Sequence, residues 1–336
     1  MIFDLVVHVH NLLRENLTTP AARVATPYVH RNLQMYKRGL ETIPPLAQAF
    51  RVPPDPQVVY DKIFGHGSEI DYAMAQVVPM FDLFAESPEE NYQRVYELTR
   101  LAPDRIVFCG GTDPVLRGVN TALRDIEGQV SDLGARSIKL YTAHAGGASW
   151  RMDDRYIAYP MYERMLELGC NLVQVHKGDP QGTEPLDALH PRDVHQAALD
   201  FPELNFIVHH LAFPFEDEAI DLAARLPNVY VAMSTWINMI RIAPVETAMR
   251  LGKMLRWCGP EKAIWGSETP LWPSAQALLE DSYTFQISED LRRGWDFPEI
   301  TDDDRRLMFG HNLLRLLDLE PLPAVGGPRS PVGRIA

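Results

Sequence analysis

Positive charge is scarce in this chain. Against 45 acidic side chains stand 32 lysines and arginines, a formal net charge of -13, and the basic residues never form a run longer than a pair. This excludes a reader of phosphate backbones, whose footprint is a basic patch or stripe. Cysteine is scarce as well. Cys109, Cys170 and Cys258 are odd in number, far apart and each set in apolar sequence, which excludes a disulfide framework or zinc-finger spacing and leaves reduced core thiols. No apolar run approaches the roughly 18 residues of a membrane span. The opening IFDLVVHVH carries no basic leader or cleavage site, so the expectation is a soluble, cytoplasmic protein with neither nucleic acid nor membrane as partner.

What is present is an ordinary globular mixture, 46% hydrophobic and 23% charged, able to bury a large core. Eight short β-branched runs recur, most of them followed by a turn and a helical pattern: IFDLVVHVH from Ile2, DYAMAQVVPMF from Asp71, DRIVFCGG from Asp104, RSIKLYTA from Arg136, CNLVQVHKG from Cys170, NFIVHHLAF from Asn205, NVYVAMST from Asn228 and KAIWGSETP from Lys262. Stretches such as SPEENYQRVYELTRLA and PVETAMRLGKMLRWC, each opening on a Ser or Pro start signal, supply the helices between them. Eight strand–helix units predict a closed α/β barrel, a (β/α)₈ TIM barrel in one domain over residues 1–319. The Pro-rich stretch 11–70 is too long for a simple connection and is expected to fold over the barrel mouth, as a substrate lid or an oligomer contact. The tail 320–336 has too few large apolar residues to fold alone and is expected to cross to a partner subunit or stay mobile.

In a strand, residues two apart share a face. Asp4, Val6, His8 and His10 are therefore expected to point one way on the first run. The same alternation turns Lys139 and Tyr141 inward on the fourth, Gln174 and His176 on the fifth, Val208 and His210 on the sixth, and Gly266 and Glu268 on the eighth. Barrel interiors are normally filled by Val, Ile or Leu, so polar groups converging on one end point to a ligand set. Imidazole with carboxylate suits Zn, Fe or Mn better than Mg or Ca.

HVH on the first strand, IKLYTA on the fourth, VHKG on the fifth, a histidine closing the sixth and GSETP on the eighth resemble the amidohydrolase superfamily. By that resemblance the metal ligands are His8, His10, His176, His210 and Glu268, with His210 chosen over His209 because it precedes the LAF turn as the family histidine does. KLYTA is similar to strands whose lysine becomes a carbamate bridging two metals, so Lys139 is expected as that bridge, or else as an amine paired with Glu268 or with a substrate carboxylate. The family's usual aspartate on the eighth strand is here Glu268, one methylene longer. The stretch from Trp150 to Gly178, with NVYVAMSTWINMIR and FGHNLLRLLDL, resembles the branch that holds 2-aminoisobutyrate hydroxylase and the barrel-fold diterpenoid hydroxylases. That implies two Fe, or Fe and Mn, with O₂ as co-substrate, hydroxylating an aliphatic C–H bond.

Tyr141, His144, Arg151, Lys177, Trp236, Asn238, Arg241 and Trp272 follow strand ends, where loops build pockets, and together suggest an apolar pocket with a cationic rim for a small or medium carboxylate. Arg151 has a structural alternative in Asp153 or Asp154. Three rivals stand beside the hydroxylase, with His210, Glu268 and Lys139 as the catalytic candidates: hydrolysis of an amide or lactone, non-oxidative decarboxylation with a single Zn in which His210 protonates the carbon, and a silent barrel kept as the structural partner of an active paralogue. A homo- or hetero-oligomer with a related subunit is expected.

Overall fold

The computed structural model describes residues 1–36, 54–270 and 275–320. Trp272, the tail from residue 321 and part of the long insertion lie outside the described residues. All eight expected runs form strands: β1 Phe3–Val7, β2 Tyr72–Gln76, β3 Ile106–Gly111, β4 Ser137–Tyr141, β5 Leu172–His176, β6 Asn205–Val208, β7 Val229–Ala232 and β8 Ala263–Ile264. They pair in parallel in sequence order, and the last meets the first through Leu5 N–H to Trp265 O at 3.2 Å and His8 N–H to Thr269 O at 2.8 Å. The result is a TIM barrel.

Alternation along the strands builds two cores. Met74, Cys109, Leu172, Ile207 and Tyr230 fill the barrel with Leu313 and Leu317. Ala75, Phe108, Val173, Val208 and Val231 face the outer helices. Among these, Pro88–Leu101 opens with a Ser87–Glu90 capping box, which satisfies two orphan backbone donors reciprocally. Pro244–Cys258 starts on the proline expected of it. Among the described residues no helix is long and apolar enough to cross a membrane.

One irregularity and one added helix matter for the mouth. Between Asp4 and Val7 the pairing of β1 on β2 slips by one residue, Asp4 standing against Ala73 and Val7 against Ala75. Leu5 and Val6 both join the inner core while Val7 and Val9 face out, so the single face expected from Asp4 through His10 is broken by this irregularity. Asp4 instead seals the β1–β8 seam, accepting from Val6 N at 3.1 Å, Ser267 N at 2.8 Å and Ser267 Oγ at 2.5 Å. Burial raises its pKa to about 7 against the opposing pull of the Ser267 bonds. From the insertion, the helix Pro20–Tyr36 lays Ala22 and Ala25 against Val78, Met80 and Tyr141 at the carboxyl end of the barrel.

Candidate metal centre

Five strand ends deliver side chains to one buried place. Beyond the slip in β1, His8 is buried and His10 partly so, their ring centroids 4.7 Å apart. His8 Nδ1 donates to Gln76 O at 3.1 Å, which fixes the tautomer and leaves Nε2 with its lone pair. From β4 comes Tyr141, stacked on His176 of β5 at 4.4 Å and 9°. His176 Nδ1 lies 3.1 Å from His210 Nε2. After β8, Glu268 sits between the two sides: its Oε2 is 3.5 Å from His8 Nε2 and its Oε1 3.5 Å from His210 Nδ1.

The sixth strand departs from its expected geometry. Ile207 faces in and Val208 out, so alternation turns His209 inward rather than His210. His210, Leu211 and Ala212 then take left-handed backbone, with φ of 57°, 52° and 50°, and this folds His210 back onto the same cluster. Both histidines therefore enter. Glu268 is left-handed too, at φ 61°. A non-glycine residue pays roughly 1–2 kcal/mol for such a conformation, and a cluster of them at one mouth marks a site where surrounding structure overrides local preference.

The donor set fits a divalent cation. Donor atoms around a tetrahedral ion with bonds of about 2.0–2.1 Å stand roughly 3.3 Å apart, close to both Glu268–histidine separations and longer than good hydrogen bonds. Glu268 Oε1 is buried with no hydrogen-bond donor among the described residues. A ring nitrogen each of His209 and His210 and a Glu268 oxygen lie within 4.8 Å of one another.

Protonation agrees with ligation. Burial lowers His176 and His209 well below the ordinary imidazole range and His210 to about 4; burial first and the neighbouring His8 second lower His10 to about 3. All present lone pairs at neutral pH. Burial alone would raise Glu268, but the close approach of His8 and the pull of His210, His8 and Lys139 whenever they are protonated hold it well below the usual carboxylate range. Lys139, fully enclosed, is pushed by burial down to about 7, with Glu268 pulling the other way. Its Nζ stands 5.7 Å from the Tyr141 ring centroid and makes no hydrogen bond or ion pair with a described residue.

The loop residues expected at a substrate rim lie elsewhere or are already engaged. His144 Nε2 contacts Asp113 Oδ2 at 2.6 Å, in a buried cluster that Trp150 Nε1 joins at 3.0 Å. Lys177 is held by Thr142 Oγ1, Ala188 O and Asp193 at 2.8–2.9 Å. Arg151 is forked onto Asp153 at the surface, and Arg241 pairs with Asp281. Asn238 donates to Ser267 O at 3.2 Å, next to Glu268, while its Oδ1 and the Trp236 Nε1 are buried without partners among the described residues.

The Amidohydrolase family model matches residues 52–319. No curated protein matches the chain. Among solved structures, an uncharacterized TIM-barrel protein from Bordetella bronchiseptica is 18% identical with a TM-score of 0.66, over 94% of this chain and 98% of that one. A 5-carboxyvanillate decarboxylase from Novosphingobium aromaticivorans with bound manganese is 12% identical with a TM-score of 0.56, over 95% and 97%. A probable 2-pyrone-4,6-dicarboxylic acid hydrolase from Acinetobacter baumannii is 11% identical with a TM-score of 0.56, over 95% and 99%. At these identities the likeness is one of fold.

Proposed function

The chain belongs to the amidohydrolase family, and from that premise we propose that it is a metal-dependent hydrolase of a lactone or amide that carries a carboxylate. The observation that carries this reading is an ionised Glu268 beside the neutral imidazole of His210, two proton acceptors 3.5 Å apart at neutral pH. His8, His10, His176, His210 and Glu268 would hold the cation. Bound there, a divalent ion supplies Lewis acidity, making a water easier to deprotonate and polarising a carbonyl.

The chain's own groups do the rest. Glu268 and His210, 3.5 Å apart, receive the proton of the attacking water and pass it to the leaving group, work that requires hydrogen-bond reach to both. Thr235 Oγ1 and Ser234 Oγ, at 3.0 and 3.2 Å from His210 Nδ1, orient that imidazole. Lys139 is a buried amine with no hydrogen bond or ion pair among the described residues, and a buried cation so placed is costly; a substrate carboxylate would supply the anion. The solved barrels of similar fold include a probable hydrolase of a pyrone dicarboxylic acid, a lactone with the same pairing of groups.

Decarboxylation is the second reading, and Lys139 favours it. With its pKa near 7 the amine can deliver a proton at neutral pH to the carbon that loses CO₂, and a manganese-bound decarboxylase shares the fold. The oxygen-dependent hydroxylation implied by the motif resemblance makes a third. One experiment separates them. Protein loaded with Mn²⁺ or Zn²⁺ is given carboxylated lactones, amides and aromatic acids under strict anaerobiosis, with acid release and CO₂ followed together. Hydrolysis predicts acid release without CO₂ at an undiminished rate; CO₂ as the product establishes the lyase, and turnover that appears only with O₂ establishes the oxygenase.

A further inference from the structure

Beneath the mouth two glutamines form a polar floor whose orientation is fixed by the main chain. Gln76 Nε2 donates to Leu5 O at 2.6 Å and to Gln174 Oε1 at 2.8 Å. Ser137 Oγ donates to Leu172 O at 3.0 Å, and so accepts from Gln174 Nε2 at 2.9 Å. Both carbonyls can only accept, which sets both amides and makes Gln174 Oε1 an acceptor. The ring atom that meets this oxygen is His209 Nε2, at 2.8 Å. Nε2 therefore carries the proton and Nδ1 of the neutral ring carries the lone pair. That Nδ1 is buried without a partner among the described residues.

His8 shows the same construction on the opposite side. Its outer nitrogen donates to the main-chain oxygen of Gln76, and its inner nitrogen faces Glu268. A metal-binding histidine almost always donates its second N–H to a carbonyl or carboxylate in this way. His8 and His209 are thus braced by two glutamines bonded to each other, and His209 belongs to the cluster with His210 and Glu268 in which donor atoms lie within 4.8 Å.

We propose that His209 is a metal ligand alongside His210 and Glu268, binding through Nδ1, and that Gln174 is the positioning residue that aims it. The inference rests on reading this cluster as a metal centre. It enlarges the ligand set beyond the one histidine that the sixth strand was expected to provide.

The test uses the full chain stripped of metal and titrated with Co²⁺, read by visible absorption and by metal analysis after desalting. His209→Ala should weaken the Kd at least tenfold or lose an ion per chain, with an altered spectrum. Gln174→Leu should weaken binding about tenfold to a hundredfold, whereas Gln174→Glu, which keeps an acceptor opposite Nε2, should lie closer to the wild type. Wild-type Kd, stoichiometry and spectrum in His209→Ala overturn the assignment and leave the metal centre standing. A wild type that takes up no Co²⁺ overturns both. Should His209→Ala fail to fold, the cobalt-loaded wild-type crystal decides: an anomalous peak about 2.1 Å from Nδ1 supports the ligand, and a Co²⁺ ion bonded to His210 or Glu268 but not to Nδ1 overturns it.

Discussion

Shortening Glu268 by one methylene tests the centre most directly, because the two sides of the site meet at its carboxylate. In Glu268→Asp the charge is kept but the oxygens withdraw by about 1.5 Å, one C–C bond. The separations to His8 Nε2 and His210 Nδ1 are both 3.5 Å, already at the outer edge for two donors sharing one ion. They cannot both survive the withdrawal. Losing one charged contact costs about 1.5–3 kcal/mol, which corresponds to roughly 10–150-fold in Kd. The fold should not suffer, since the left-handed backbone at φ 61° is easier for aspartate than for glutamate. Competition between the protein and a chromophoric chelator for Zn²⁺ or Mn²⁺ gives the Kd, and a thermal melt of the apo form gives the control. If Glu268→Asp binds within twofold of the wild type, Glu268 does not join the two histidine sets and the centre has been misassembled.

His8→Ala should strip metal while far-UV circular dichroism stays unchanged, because the seam beside it is held by Asp4 and Ser267; loss of the folded spectrum would show His8 to be structural. Asp4, raised to about 7 from 3.8, favours the folded state in its neutral form, an advantage complete below about pH 3.8 and lost as pH rises through 7. Relative to Asp4→Asn, the apo wild type should lose stability across that window by at most about 4 kcal/mol, at about 1.4 kcal/mol per unit, as read by urea denaturation; parallel pH profiles would refute the burial argument. Lys139 titrates the other way. Lowered from 10.5 to about 7, it burdens the apo fold most below pH 7 and progressively less toward 10.5, so the gain in stability of Lys139→Met should be largest near pH 6 and vanish near pH 10, while substrate binding is lost at every pH.

The barrel was legible because its strands obey the two-residue period, and Lys139, Tyr141 and His176 sit where that period turns them. It failed where the backbone leaves the strand. Nothing in NFIVHHLAF announces a left-handed turn, since none of His210, Leu211 and Ala212 is glycine, and the conformation is imposed by packing around it. The slip at Leu5 and Val6 was equally hidden, both residues being as apolar as their neighbours. The partners of the rim residues were hidden for a different reason. His144 and Lys177 look free along the sequence, but their carboxylates, Asp113 and Asp193, stand 31 and 16 residues away, beyond any local spacing rule.

The glutamine floor carries a consequence for how such a barrel can be re-engineered or diversify. The Gln76 amide is tied to Leu5 O and that of Gln174, through Ser137 Oγ, to Leu172 O, and among the described residues no loop above the strands takes part in fixing them. Selection on the βα loops can then explore new substrates without retuning the bracing of His8 and His209. Grafting the loop segments that lie beyond His10, His210 and Glu268 from another member of the family should exchange the preferred substrate and leave the order of metal preference as it is in this chain. Replacing Gln174, whose side chain meets His209 directly, should do the reverse.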